Sequence, residues 1–182
     1  MKINNQVIKV WSKILLAIPN SMLILKTGKL QDTSLRENLI KDFELEGISH
    51  DQLKVIQRTE SKEDHLALYN QIDLALDTFP FNGATTTCEA LWMGVPVVTL
   101  LGDRHAGRVG ASILQRIGLD DFIAETPEEM VDLAVTVASN INLLRELRKS
   151  LRSKMLASDL CNGTVMARSI EETFLKMYKK LI

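Results

Sequence analysis

The stretch DTFPFNGATTTCEALWMGVPVVTL, residues 77–100, decides how the chain is read. It follows the apolar run Ile72–Leu76, turns through Gly83, enters a helix-forming segment from Thr85 to Trp92, breaks at Gly94 and resumes as the apolar run Pro96–Leu100. A strand, a turn, a helix and a second strand in so few residues predict a parallel βαβ unit, because parallel strands need a crossover and a helix is the usual one. Pro96 is tolerated because it stands at the start of its strand.

The same alternation continues on both sides. Upstream, Val7, Val10, Trp11, Ile14, Leu15 and Ile18 recur at helical spacing until Pro19-Asn20-Ser21. Met22–Leu25 then suits a buried strand, Leu35 to Phe43 a helix ending at Gly47, and Leu53–Ile56 a further strand. Ser61 with Asp64 three residues on resembles a capping box, so a helix is expected there, turning Leu66 and Tyr69 inward. Downstream, Val109–Ile117 reads as helix and Phe122–Ala124 as a short strand. Thr126-Pro127-Glu128-Glu129 combines an N-cap, a first-turn proline and an acid three residues after the cap. Three helices, Pro127–Ser139, Leu143–Ala157 and Val165–Lys180, fill residues 127–182. The expected fold class is α/β, a Rossmann-like open parallel sheet with helices on both faces and a C-terminal helical segment.

With 182 residues the chain suits one unit, 1–182. Its 22 Lys and Arg nearly cancel its 23 Asp and Glu, so no general basic field exists to hold nucleic acid or an anionic membrane. Any anion needs a local site. Cys88 and Cys161 are too few for a disulfide framework and are expected to be reduced, buried thiols of a cytoplasmic protein. Met1–Asn5 lacks the apolar run of a secretory signal, and no stretch is long enough to span a membrane.

In open α/β sheets ligands bind beyond the carboxyl ends of the strands, so the turn from Asp77 to Thr87 is the candidate site. Gly83 permits a tight turn, and Ala84, Thr85 and Thr86 place backbone N–H groups at the positive end of the helix, where a diphosphate fits. The alternative is that the threonines only cap the helix. Glu89, four residues after Thr85, shares its helix face, where a carboxylate can accept from ribose hydroxyls, unless it is simply solvated. His65 and Lys62, just after the Ser61 cap, are placed near the same crevice edge. Arg104 and Arg108 frame the loop after the Val97 strand, facing ligand, a further lobe or solvent. His50 is read as surface. The His and acid spacings suggest no metal site, and no cofactor is expected.

Residues 77–83, Thr85-Thr86 and Glu89 through Thr99, continuing through Arg108–Ser112 and back to the Trp11 helix, resemble the C-terminal catalytic lobe of O-GlcNAc transferases and their SPINDLY relatives. The resemblance implies the second lobe of a two-lobed GT-B enzyme that transfers a sugar from a nucleotide diphosphate donor such as UDP-GlcNAc to protein Ser or Thr. It implies inverting chemistry without a metal. Only through it does Lys2 become the lysine that neutralises the leaving diphosphate. It likewise makes Thr85 and Thr86 the diphosphate pair, Glu89 a replacement for a ribose-binding aspartate, and Lys62 with His65 the nucleobase pocket.

Ala84 and Leu68 depart from the animal pattern, which has histidine and arginine there. The first catalytic lobe and the tetratricopeptide repeats, which carry the acceptor, are not in the sequence, so the chain alone is expected not to turn over. Leu181 and Ile182 would then pack on that other lobe. A nucleotide-sugar epimerase, a different GT-B glycosyltransferase and a non-catalytic interaction module are the competing readings. Donor sugar, acceptor and oligomeric state stay open.

Overall fold

Asn4 opens the fold: its side-chain oxygen accepts from the backbone N–H groups of Gln6 and Val7, capping α1 (Asn5–Ala17). The computed structural model describes residues 2–26 and 32–180. Leu181 and Ile182, and the packing expected of them, lie outside the described residues. After α1 the order is β1 (Leu23–Lys26), α2 (Thr33–Leu45), β2 (Leu53–Ile56), α3 (Lys62–Ala67), β3 (Ala75–Leu76) and α4 (Thr85–Trp92). Then follow β4 (Val97–Leu100), α5 (Val109–Arg116), β5 (Ile123–Ala124), α6 (Pro127–Ser139), α7 (Ile141–Ala157) and α8 (Gly163–Lys179).

The expected alternation of helix and parallel strand is what the chain adopts. Every strand pair is parallel, with Leu23 opposite Leu53, Ala75 opposite Val97 and Thr99 opposite Ile123. The sheet differs from expectation in one respect, since the described strands form two ladders, β1-β2 and β3-β4-β5. The strand expected over Ile72–Leu76 pairs only at Ala75 and Leu76. Leu68–Gln71 extends α3 as a tight 3₁₀ turn, and Arg148 of α7 donates to the carbonyls of Tyr69 and Ile72. These bonds hold the residues ahead of Ala75 to α7 rather than along β4. Between the ladders opens a cleft of about 1470 Å³ that reaches Lys2, His65, Asp77, Gly83 and Thr86.

β4 is the centre of the core, all four of its residues buried, as a strand covered on both faces should be. Helices α4, α5 and α6 pack against it, and α1 lays Val7, Val10, Trp11 and Ile14 against α6 and α2. The N-caps at Ser61 and Thr126 form as expected, each hydroxyl accepting from the backbone N–H three residues on. The last two helices start two residues earlier than their apolar pattern, because Asn140 and Asn162 cap them. Gly94 ends α4 with φ +80°, and a Cβ built there lies 2.5 Å from the Arg148 carbonyl oxygen. Gly94→Ala is therefore expected to cost about 2 kcal/mol, combining left-handed strain with an α4–α7 clash, measurable as a lower urea midpoint with an unchanged slope.

The expectation of two buried thiols is corrected. Cys88 is half-buried and Cys161 is exposed, because the short turn Asp159–Cys161 leads into α8, whose surface faces outward along its length. Among the described residues no helix is long and apolar enough to cross a membrane.

Candidate functional site at the carboxyl ends of the strands

The turn after β3 is built on a buried carboxylate. Asp77 is 6% exposed; its Oδ1 accepts from the N–H groups of Gly83 (2.7 Å) and Thr78 (2.9 Å), and its Oδ2 accepts from the Thr99 hydroxyl (2.8 Å). Burial pushes this carboxyl above the usual aspartate value, opposed by the Gly83 N–H, the Thr99 hydroxyl, the Thr78 N–H and the charge of Lys2. Asn82, also buried, donates to the Thr78 carbonyl (2.9 Å) and accepts from the Gly110 N–H (3.3 Å). Gly83 must be glycine, because a Cβ there would sit 2.6 Å from the Thr86 hydroxyl and 2.8 Å from that of Thr87. Gly110 must be glycine because a Cβ would collide with Asp77 and Thr99.

This loop delivers α4 with its first turn outward. Ala84 is the N-cap and makes no side-chain cap, so the reading in which the threonines merely cap the helix does not describe this turn. Thr85 and Thr86 are exposed beside it. Uncapped N–H groups at a helix start are the usual donors to a bound anion. Lys2, remote in sequence, reaches the same loop: its ammonium donates to the Asn82 carbonyl at 2.6 Å and lies 4.2 Å from the Phe81 ring centroid. Asn4 fastens that approach by donating to the Phe79 carbonyl at 2.9 Å.

Glu89, one turn into α4, is half-buried and pairs with His65, Oε2 to Nε2 at 3.0 Å. The His65 Nδ1 lies 2.6 Å from the Lys26 ammonium at the end of β1. Tyr69 packs edge-on to His65, ring centroids 5.7 Å apart, with its hydroxyl 3.4 Å from the Thr86 carbonyl. Burial, with Glu89 adding, pushes the Tyr69 hydroxyl up to about 12, so it stays a donor at any physiological pH.

Of the residues singled out in the sequence, Lys2, His65, Gly83, Ala84, Thr85, Thr86 and Glu89 converge on this corner. Lys62 does not: it is exposed on the first turn of α3 and does not line the cleft. Three residues before His65, it shares the neighbouring helix surface one turn earlier, on the solvent side of the cleft edge. Leu68 lines the cleft. Arg108 donates to the Gly102 carbonyl at 3.1 Å, closing its own loop, and Arg104 is exposed at the same turn. Lys26 carried no sequence signal, being one lysine at a strand end, and the anchoring role of Asp77 depends on contacts with Gly83 and Thr99 that spacing does not reveal.

Fold and site together define a parallel α/β lobe with an anion-receptive helix start and a carboxylate one turn further in. Residues 1–170 match the profile of Glycosyl transferase family 41, and the chain belongs to that family. It is 40% identical to proteins called probable UDP-N-acetylglucosamine–peptide N-acetylglucosaminyltransferase SPINDLY from Hordeum vulgare and Arabidopsis thaliana, over 98% of this chain and 19% and 20% of theirs. A point mutant of the Thermobaculum terrenum O-GlcNAc transferase superposes with a TM-score of 0.92 at 36% identity, covering 98% of this chain and 34% of that one. The chain thus spans about a fifth of the length of those curated relatives.

Proposed function

We propose that residues 1–182 act as the donor-binding lobe of a glycosyltransferase that moves a sugar, GlcNAc in the first instance, from a nucleotide diphosphate such as UDP-GlcNAc to protein Ser or Thr. The observation that carries this reading is the arrival of the Lys2 ammonium on the loop that presents the uncapped start of α4. A diphosphate held by the Ala84, Thr85 and Thr86 N–H groups and the threonine hydroxyls lies within reach of that ammonium, and Glu89 lies at ribose distance along the helix. Negative charge grows on the diphosphate as the glycosidic bond breaks, so fixed donors there lower the barrier. Lys2 and the helix dipole supply that compensation without a metal or another cofactor, and a direct displacement by the acceptor hydroxyl inverts the anomeric centre.

His65, with Tyr69 against it, forms the wall for the nucleobase, while Lys62 belongs to its rim. The names of the relatives support a nucleotide-sugar donor and a peptide acceptor. The acceptor and its acid/base partner come from regions that those longer relatives have beyond the matched part, so the chain alone binds donor without turnover, in a cytoplasmic setting. Titrating UDP into ¹⁵N-labelled protein is expected to move the Ala84, Thr85, Thr86 and Glu89 amides in a saturable way. Unmoved amides at millimolar UDP and GDP would sink the reading.

A further inference from the structure

Four polar groups from four separate segments meet at the crevice, and their protons can be placed one by one. The Thr59 hydroxyl donates to the Ser61 carbonyl (3.2 Å), so the Thr59 oxygen is left to accept from the Lys26 ammonium at 2.9 Å. The same ammonium has no lone pair, so at 2.6 Å the His65 Nδ1 must accept from it. Nε2 then carries the ring proton and donates to Glu89 at 3.0 Å. The chain runs in one direction, from Lys26 through His65 to Glu89, and each bond polarises the next.

The relay also has a place in the architecture. Lys26 ends β1 and Thr59 follows β2, whereas Glu89 stands on α4 after β3; β1 and β3 belong to different ladders. The relay therefore joins the two ladders at the mouth of the cleft. Tyr69 packs on the edge of the same imidazole and restricts its tilt. Burial above all, with Arg58 adding, pulls the Lys26 ammonium below the ordinary lysine value, while the carboxylates of Glu89 and Asp64 act the other way.

We propose that Lys26 is a positioning residue for donor binding: it holds His65 as the Nε2–H tautomer, which in turn fixes the Glu89 carboxylate toward the donor ribose. One oxygen of Glu89 is taken by His65, which leaves Oε1 as the acceptor for a ribose hydroxyl. Without Lys26, either ring nitrogen can carry the proton, and the acceptor tautomer at Nε2 would face a carboxylate with no hydrogen between them. The role in donor binding rests on the function proposed above, whereas the tautomer does not.

The test is made on the full chain, with long-range ¹H–¹⁵N spectra of its three histidines and calorimetric titration with UDP and GDP. Wild-type His65 is expected to show a single Nε2–H pattern. Lys26→Met should mix the tautomers and weaken whichever diphosphate the wild type binds by roughly tenfold, the scale of a lost charged hydrogen bond. Lys26→Arg, which can still donate to Nδ1, should restore both, and it keeps the test open if the methionine variant fails to fold. An unchanged His65 pattern in Lys26→Met, or a changed pattern with unchanged affinity, overturns the proposal. A wild type that binds neither diphosphate removes the donor reading and with it the ribose role, while the spectra still decide whether the relay exists.

Discussion

Asp77→Ala is expected to cost about 3–5 kcal/mol of stability, the range for removing one partner from a buried, hydrogen-bonded charge. Three donors converge on this carboxylate, the N–H groups of Gly83 and Thr78 and the Thr99 hydroxyl, and alanine leaves them facing a void. For a chain of this size the loss lowers the melting temperature by roughly 6–20 °C. The loop that sets the start of α4 loses its anchor, so diphosphate binding should fall as well. Asp77→Asn separates geometry from charge: an amide oxygen can keep Gly83 and Thr78, and an amide N–H can donate to the Thr99 oxygen in place of the reverse bond. It should therefore cost much less than alanine.

The pH dependence follows from the direction of the shift. Burial holds the folded Asp77 carboxyl above its unfolded value, so in the window between the two the native state binds the additional proton. Stability contributed by this group then falls as pH rises through that window and is recovered on acidification toward the unfolded value of about 3.9. Relative to Asp77→Asn, which has nothing to titrate, the wild type should gain stability between neutral pH and about pH 4. Urea midpoints of the two proteins at both pH values measure this, and a difference that stays constant or moves the other way would falsify the assignment of a burial-raised carboxyl.

The class of fold was open to reading because its signals are local. Thr126-Pro127 before an apolar run, Gly47 and Gly94 after one, and the unbroken Val97–Leu100 strand each act within a turn or two of themselves. What stayed hidden depends on distant partners. The two-residue length of β3 and the reach of Arg148 back to Tyr69 and Ile72 are tertiary features that no period in the sequence encodes. Cys161 was expected inside because thiols usually are, yet its burial depends on whether α8 folds back, and α8 presents Met166, Phe174 and Leu175 to the outside. At the site, glycine and threonine at a strand-to-helix turn raised the expectation of an anion position from physics alone, whereas Lys2 entered only through a resemblance. Its place near the chain start has no pattern, and it became meaningful when the fold carried it to Asn82.

Lys2→Met carries the largest effect expected on activity. Its ammonium makes one bond to the Asn82 carbonyl and rests on Phe81 while staying exposed, so two of its three N–H donors remain for a diphosphate oxygen. In the resting protein the substitution removes one part-buried carbonyl contact and a cation–π contact, together about 2 kcal/mol, so melting should fall by only a few degrees. On the proposed donor reading, it removes a positive charge from the atoms where the leaving group becomes negative. Loss of one such fixed donor lowers kcat by about 10²–10³-fold. Because the charge matters most when the bond to the sugar is breaking, kcat should fall far more than KM rises. The measurement is steady-state transfer to a peptide by the enzyme that joins this chain to the remaining regions of its longer relatives, compared for Lys2, Lys2→Met and Lys2→Arg. A kcat for Lys2→Met within threefold of the parent would remove Lys2 from the reaction and leave it as a clasp on the Asn82 loop, whereas partial recovery by arginine would identify charge, rather than the clasp, as what the reaction uses.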